Sequence, residues 1–243
     1  MIWSDEAGGP GPQETGQDTF AAAAVEPIES GMTVGLGAGK TAGRALAELA
    51  RRCAGGTLKG VTVVPASDAA ETMCVELGLT VAESSSFETV DVLIDGADEV
   101  DDTMRMLKGS RGAVARERII AAASPRRIYL VPEAKVSTRL GENASLAIAV
   151  MPFGIASTRQ LIREIGLNGV LRPSLDGGLL ITDNGNLILD VALPEGLNLV
   201  EVDDELRRVP GVIEHGLFLD EADEILIEQG DGSIRRLRRV DDA

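Results

Sequence analysis

The chain has 243 residues, 44% of them apolar, and its 39 acidic against 23 basic side chains leave a net charge of −16. That apolar content fills the core of one large domain or two modest ones, while the charge argues against a nucleic-acid partner, because an acidic surface repels phosphate backbones. No stretch approaches about eighteen uninterrupted apolar residues, and residues 1–18 are acidic and rich in Gly and Pro, so neither a membrane span nor a signal peptide is read. A cytoplasmic protein with a frayed tail over 1–18 is expected.

Residues 33–35 form the first predicted strand, after which Ala42, Leu46, Leu49, Ala50 and Cys53 recur at helical spacing until Gly55-Gly56 stops the helix. A second strand at 61–64 is followed by Asp68-Ala69-Ala70-Glu71, a variant capping box for a helix ending near Gly78. A buried strand at 90–94, a helix at 113–123 closed by Ser124-Pro125, and a strand at 128–131 continue the alternation. This pattern is the signature of a parallel sheet covered by helices.

After about residue 140 the texture changes and a second unit is expected. It holds a helix at 157–165 with Gly166 past its end, then strands at 179–182 and 186–191. These flank Asp183-Asn184-Gly185, whose Asn-Gly pair favours a tight hairpin. A short helix at 203–208, strands at 212–219 and 224–228, and a final turn at Gly230-Asp231-Gly232 complete the reading. Cys53 and Cys74 fall on apolar helix faces and read as buried thiols without a disulfide. The arginine pairs 51–52 and 126–127, and the doubled pair within 235–239, read as solvated faces, and His215, the one histidine, as a structural strand residue.

Residues 34–43, VGLGAGKTAG, invite a nucleotide reading that the spacing refuses. A Walker A loop needs glycine where Val34 stands, and the dinucleotide pattern fits only in its alanine-ended form, with no acidic ribose ligand near Thr57-Leu58-Lys59-Gly60. What survives is anion binding by closely spaced glycine amides at a helix N-terminus, with Lys40 adding a full charge. The densest set of charged residues lies at 91–120, where Asp95 and Asp98 sit in a turn at the end of a buried strand. Lys108 follows in a second glycine turn, and Glu117 lies on the next helix. The carboxyl end of a strand is where open α/β sheets place ligands, although any one of these residues taken alone reads as a turn cap, an ion pair or a surface charge.

Taken together, IDGADEV at 94–100 and MLKGSRGAVARERII at 106–120 closely resemble the signature region of type A ribose-5-phosphate isomerases. VGLGAGKTA resembles that family's first glycine loop, Ser67-Asp68 its second-strand loop, and Ala134-Lys135 with Arg139-Leu140-Gly141 its approach to a small domain. Thr182-Asp183-Asn184-Gly185-Asn186 with Leu189-Asp190 resembles its hairpin, and the segment from Pro210-Gly211-Val212 to Gly216-Leu217-Phe218 its return strand. The resemblance runs in order from about residue 20 to 236.

It implies an α/β fold with a Rossmann-like catalytic domain (1–140 with 218–243) and a small α+β, ferredoxin-like domain (141–217). It also implies a homodimer or homotetramer, and the interconversion of ribose 5-phosphate and ribulose 5-phosphate through an enediolate without metal or cofactor. Position by position, Glu117 matches the general base, Lys108 the cation beside the developing oxyanion, and Asp95 and Asp98 the carboxylates that open the ring and hold hydroxyls. The sugar phosphate is expected on Gly37, Ala38, Gly39, Lys40, Thr41, Ser67, Gly109, Arg111 and Lys135. Departures cluster around the phosphate. Lys40 replaces a serine, Ser110 and Arg111 interrupt a glycine-rich turn, Gln17 or Asp18 occupies the stretch where some members carry lysine, and strand 148–150 has alanine where glutamate is common. Two alternatives follow: an isomerase for another phosphorylated aldose, or a sugar-phosphate sensor module, against which the intact Glu117 counts.

Overall fold

The computed structural model describes residues 18–239. The stretch 1–17, which holds nearly all of the expected frayed tail and Gln17, lies outside the described residues. Asp18, included in that expected tail, instead caps helix α1 (Thr19–Val25) by accepting from the Ala21 amide at 3.0 Å and pairs with Arg44 at 2.7 Å. Strand β1 (Thr33–Leu36) leads into α2 (Lys40–Ala54), β2 (Thr62–Pro65), α3 (Asp68–Glu76), β3 (Thr80–Val81) and β4 (Val92–Gly96). Short strands β5 (Glu99–Val100) and β6 (Met106–Leu107) precede α4 (Val114–Ala122) and β7 (Arg127–Pro132). Then come β8 (Leu146–Val150), α5 (Ile155–Glu164), β9 (Gly169–Leu171), β10 (Leu187–Val191), α6 (Leu199–Arg208), β11 (Val212–His215), β12 (Leu217–Phe218), β13 (Glu224–Glu228) and β14 (Ile234–Arg238).

Seven strands form one sheet in the order β14-β13-β7-β4-β1-β2-β3, parallel except for the β13–β14 hairpin. Alternation along β4 sets its two faces, because successive side chains of a strand point to opposite sides. Val92 and Ile94 join the α1/α2 core with Phe20, Leu46 and Leu49, whereas Leu93 joins the α4 core with Val114 and Ile120. A four-stranded antiparallel sheet, ordered β11-β8-β10-β9, packs on the α4 side. Its strand β8 repeats the logic: Ala147 and Ala149 face α4, and Leu146, Ile148 and Val150 pack with Ile162 of α5 and Leu206 of α6. A small sheet, β12-β6-β5, completes the α/β architecture. No helix among the described residues is long and apolar enough to cross a membrane.

Several local expectations need correction. The cap of α3 is Ser67, which accepts from Ala70, and Asp68 is the first helical residue. Residues 179–182 form isolated bridges rather than a strand, although the tight turn stands, with Gly185 donating to the Thr182 carbonyl. The predicted strand 212–219 breaks at Gly216, because that backbone passes between two sheets. It accepts from the Lys108 amide and donates to the Ala147 carbonyl, and a Cβ there would lie 2.0 Å from the Lys108 carbonyl oxygen. Helix α6 begins at Leu199 rather than 203, with Asn198 as its cap. Two arginines of the supposed solvated pairs are anchored instead: Arg52 on Glu48 and the Ala22 carbonyl, and Arg127 on both oxygens of Asp223. Cys74 is buried as expected, Cys53 only half-buried, and both are free thiols.

Candidate active site

Strands β1 and β4 are neighbours, yet the chain leaves β1 towards β2 on one side and the sheet continues from β4 to β7 on the other. Such a reversal opens a crevice beyond the carboxyl ends of the strands. Here those ends carry Gly37-Ala38-Gly39 and Asp95-Gly96-Ala97-Asp98. Gly37 is required for close approach: a Cβ at this position would sit 1.6 Å from Asp95 Oδ1. Between the two loops lies a cavity of about 240 Å³.

One wall holds Lys108 and Glu117. Lys108 is 2% exposed and Glu117 4%, and Asp95, 1% exposed, lies behind them rather than on the wall. Lys108 Nζ donates to Asp95 Oδ2 at 2.8 Å and to the Gly96 carbonyl at 2.5 Å, and lies 3.5 Å from Glu117 Oε1. Its other neighbours are the rings of Tyr129 and Phe218, with centroids 5.4 and 5.5 Å away. Burial works against the ammonium, but Asp95 and Glu117 outweigh it and the Lys108 pKa is raised. Glu117 Oε2 is buried without a hydrogen-bond partner. Burial, helped by the charges of Asp95 and Asp98 and opposed by Lys108, pushes the Glu117 carboxyl up to about 8. A carboxyl so placed beside a fixed cation is suited, once ionised, to take up a proton.

The opposite wall is the start of α2. Gly39, at φ 129°, precedes Lys40, and no side chain caps the first turn, so the helix presents its positive end to the cavity. Lys40 and Arg111 are exposed at its mouth, and the Arg111 guanidinium comes close to Gly39, where a Cβ would lie 3.9 Å from Nε. Lys135 donates to the Ala97 carbonyl at 2.6 Å, with Asp98 Oδ1 4.0 Å away. Of the residues expected at the site, Ala38, Gly39, Lys40, Thr41 and Gly109 line the cavity, as do Asp98, Lys108, Arg111, Glu117 and Lys135. Gly37 and Asp95 lie beneath it. Ser67 is not on the wall, and its hydroxyl is committed to capping α3. His215 is fully buried. Burial, reinforced by Arg118 and opposed by Asp203, depresses its pKa to about 3, so the structural reading of the imidazole agrees with its neutral, enclosed state.

Sequence reasoning missed three contributors. Ser110, noted only as an interruption, donates its amide to Asp98 Oδ2 at 2.8 Å and its hydroxyl to Oδ1. Arg172 reaches the same turn from the four-stranded sheet. The buried hydroxyl of Tyr129 has no partner, and its ring flanks Lys108. Only proximity in space reveals the last two.

The family model for ribose 5-phosphate isomerase A (phosphoriboisomerase A) matches residues 62–232. The chain belongs to that family. Its enzymes interconvert ribose 5-phosphate and ribulose 5-phosphate. A ribose-5-phosphate isomerase A from Desulfatibacillum aliphaticivorans is 37% identical over 228 residues, covering 92% of this chain and 99% of the relative. One from Rhizobium meliloti (strain 1021) is 40% identical over 219 residues, covering 88% and 93%. Among solved structures, the ribose 5-phosphate isomerase from Plasmodium falciparum superposes with a TM-score of 0.85 at 30% identity, over 92% of this chain and 99% of that one. A D-ribose-5-phosphate isomerase in complex with phospho-erythronic acid gives a TM-score of 0.87 at 31% identity, covering 91% and 97%. The expected family and α/β fold therefore stand.

Proposed function

We propose that Glu117 is the general base of the ribose 5-phosphate isomerase reaction in this chain. With the open-chain sugar in the cavity, the Glu117 carboxylate takes the proton from C2, the C2–H electrons form the C1=C2 bond, and the carbonyl pair moves onto O1. The Lys108 ammonium stands where that negative charge develops, and Asp95 serves by holding Lys108 in place. Glu117 returns the proton to C1 while the O2 proton passes to O1, leaving a hydroxyl at C1 and the ketone at C2. Asp98, on the wall and gripped by Ser110, holds sugar hydroxyls and assists ring opening. The phosphate sits at the start of α2, on the amides of 40–42, with Lys40 and Arg111 supplying charge.

The observation that carries the proposal is the pairing of a buried, half-unpartnered Glu117 with an ion-paired Lys108 3.5 Å away, at the strand reversal of the sheet. The test is turnover of ribose 5-phosphate, followed as ketose formation, in the wild-type chain and in Glu117→Gln. Loss of a positioned base costs roughly 10²–10⁴-fold, and the variant is expected in that range with KM little changed. A variant retaining more than about a tenth of wild-type kcat overturns the role of Glu117. Turnover of another phosphorylated aldose alone overturns the choice of sugar.

The chain also reads as two units, 1–140 with 218–243 and 141–217, a division supported by the separate sheets. A homodimer or homotetramer and a cytoplasmic location accompany this reading, supported by the family resemblance. Light scattering on the purified chain decides the oligomer.

A further inference from the structure

The turn 109–111 connects the ammonium at Lys108 to Arg111, and its two peptide planes are held from outside the cavity. Arg172, just past β9, donates from Nη1 to the carbonyls of Gly109 at 2.9 Å and Ser110 at 2.7 Å. Its Nε and Nη2 grip both oxygens of Asp190 on β10. The backbone of Arg172 is itself fixed, its amide donating to Ile188 and its carbonyl accepting from Leu180.

No described peptide bond is cis, and in a trans peptide the N–H points opposite to its own C=O. Drawing the Gly109 carbonyl towards Arg172 therefore turns the Ser110 amide the other way, where it meets Asp98 Oδ2 at 2.8 Å. Drawing the Ser110 carbonyl the same way turns the Arg111 amide away from Arg172. Among the described residues that amide has no hydrogen-bond partner. A turn containing Gly109 at φ 103° has the freedom to adopt either plane orientation, so something must choose one.

We propose that Arg172 is a positioning residue for the isomerase site: by fixing the peptide planes of the 109–111 turn it aims the Ser110 amide at Asp98 and so holds that carboxylate for the substrate. The inference rests on the proposed function and assigns Arg172 no contact with the sugar. Guanidinium geometry suits the task, since one planar fork spans a carboxylate and two carbonyls, whereas a lysine ammonium is a single point donor.

The test is a double-mutant cycle on kcat with ribose 5-phosphate, comparing Arg172→Lys, Asp98→Ala and the double variant, with the folded state of each checked by its thermal transition. Arg172→Lys is expected to lower kcat by roughly tenfold with KM shifted less than about threefold, because the amides and Lys40 at the start of α2, which Arg172 does not touch, still hold the phosphate. In the Asp98→Ala background the same change is expected to cost less than about twofold, since residues in one hydrogen-bond network couple and independent ones do not. Losses that multiply, or an unchanged kcat in Arg172→Lys, overturn the proposal. If Arg172→Lys does not fold, Asp190→Asn, which leaves the guanidinium unanchored, is read in the same cycle with the same criteria. Wild-type turnover and its loss in Glu117→Gln stand apart from this cycle, so failure here leaves the assignment of the base intact.

Discussion

At the scale of residues, a Glu117 acting as the proposed base sets the pH dependence. A base must be ionised to accept a proton, and burial holds this one protonated up to about pH 8, so kcat/KM is expected to rise with pH, with unit slope below that value and levelling above it. A rate profile flat from about pH 6 to 9 contradicts the raised pKa. The same shift has a thermodynamic sign. With the folded pKa raised from 4.5 to about 8, the folded chain binds the extra proton across that window. This contribution to stability is full at low pH and is lost as pH rises to about 8, so the ionised carboxylate that the proposed base requires is the form the fold disfavours. Asp98, Lys108 and Glu117 were legible in the sequence because glycine turns and a strand end advertise them. Arg172 was not, because the carbonyls it holds lie 63 and 62 positions away, and an arginine ahead of a hairpin carries no local signal.

Among elements, the proposed phosphate site falls on α2. Its first turn has neither an acidic residue nor a capping side chain, so its amides and Lys40 are left to an anion. Replacing Lys40 by alanine is expected to raise KM for ribose 5-phosphate roughly tenfold, about 1.4 kcal/mol, while kcat moves little. A fall in kcat at constant KM places the phosphate elsewhere. Helices were readable from periodicity because each buries one face, and central strands such as β4 from an unbroken apolar run, because both faces are covered. Two-residue strands such as β3, β5 and β6 offer no period to detect, and the break at Gly216 follows from a carbonyl on a different sheet. Glu99 in β5 shows how much such a short element carries. Fully buried, it accepts four backbone amides, from Gly141 to Ala144, and so pins the segment leading into β8.

For the whole molecule, the net charge of −16 stores self-repulsion in the compact state. The Debye length shrinks from about 30 Å at 0.01 M salt to about 8 Å at 0.15 M, so Tm is expected to rise over that range. A fall instead means that attraction within the arginine–carboxylate pairs outweighs the repulsion. Four lysines serve the entire chain, and three of them, Lys40, Lys108 and Lys135, border the cavity. Lysine chemistry on this protein is thereby weighted towards one place. Of the four, Lys40 and Lys59 are exposed, so an amine-reactive bead or dye coupled through a side chain meets the pocket mouth or Lys59, and a sugar phosphate bound as proposed is expected to shield Lys40 and leave Lys59 open.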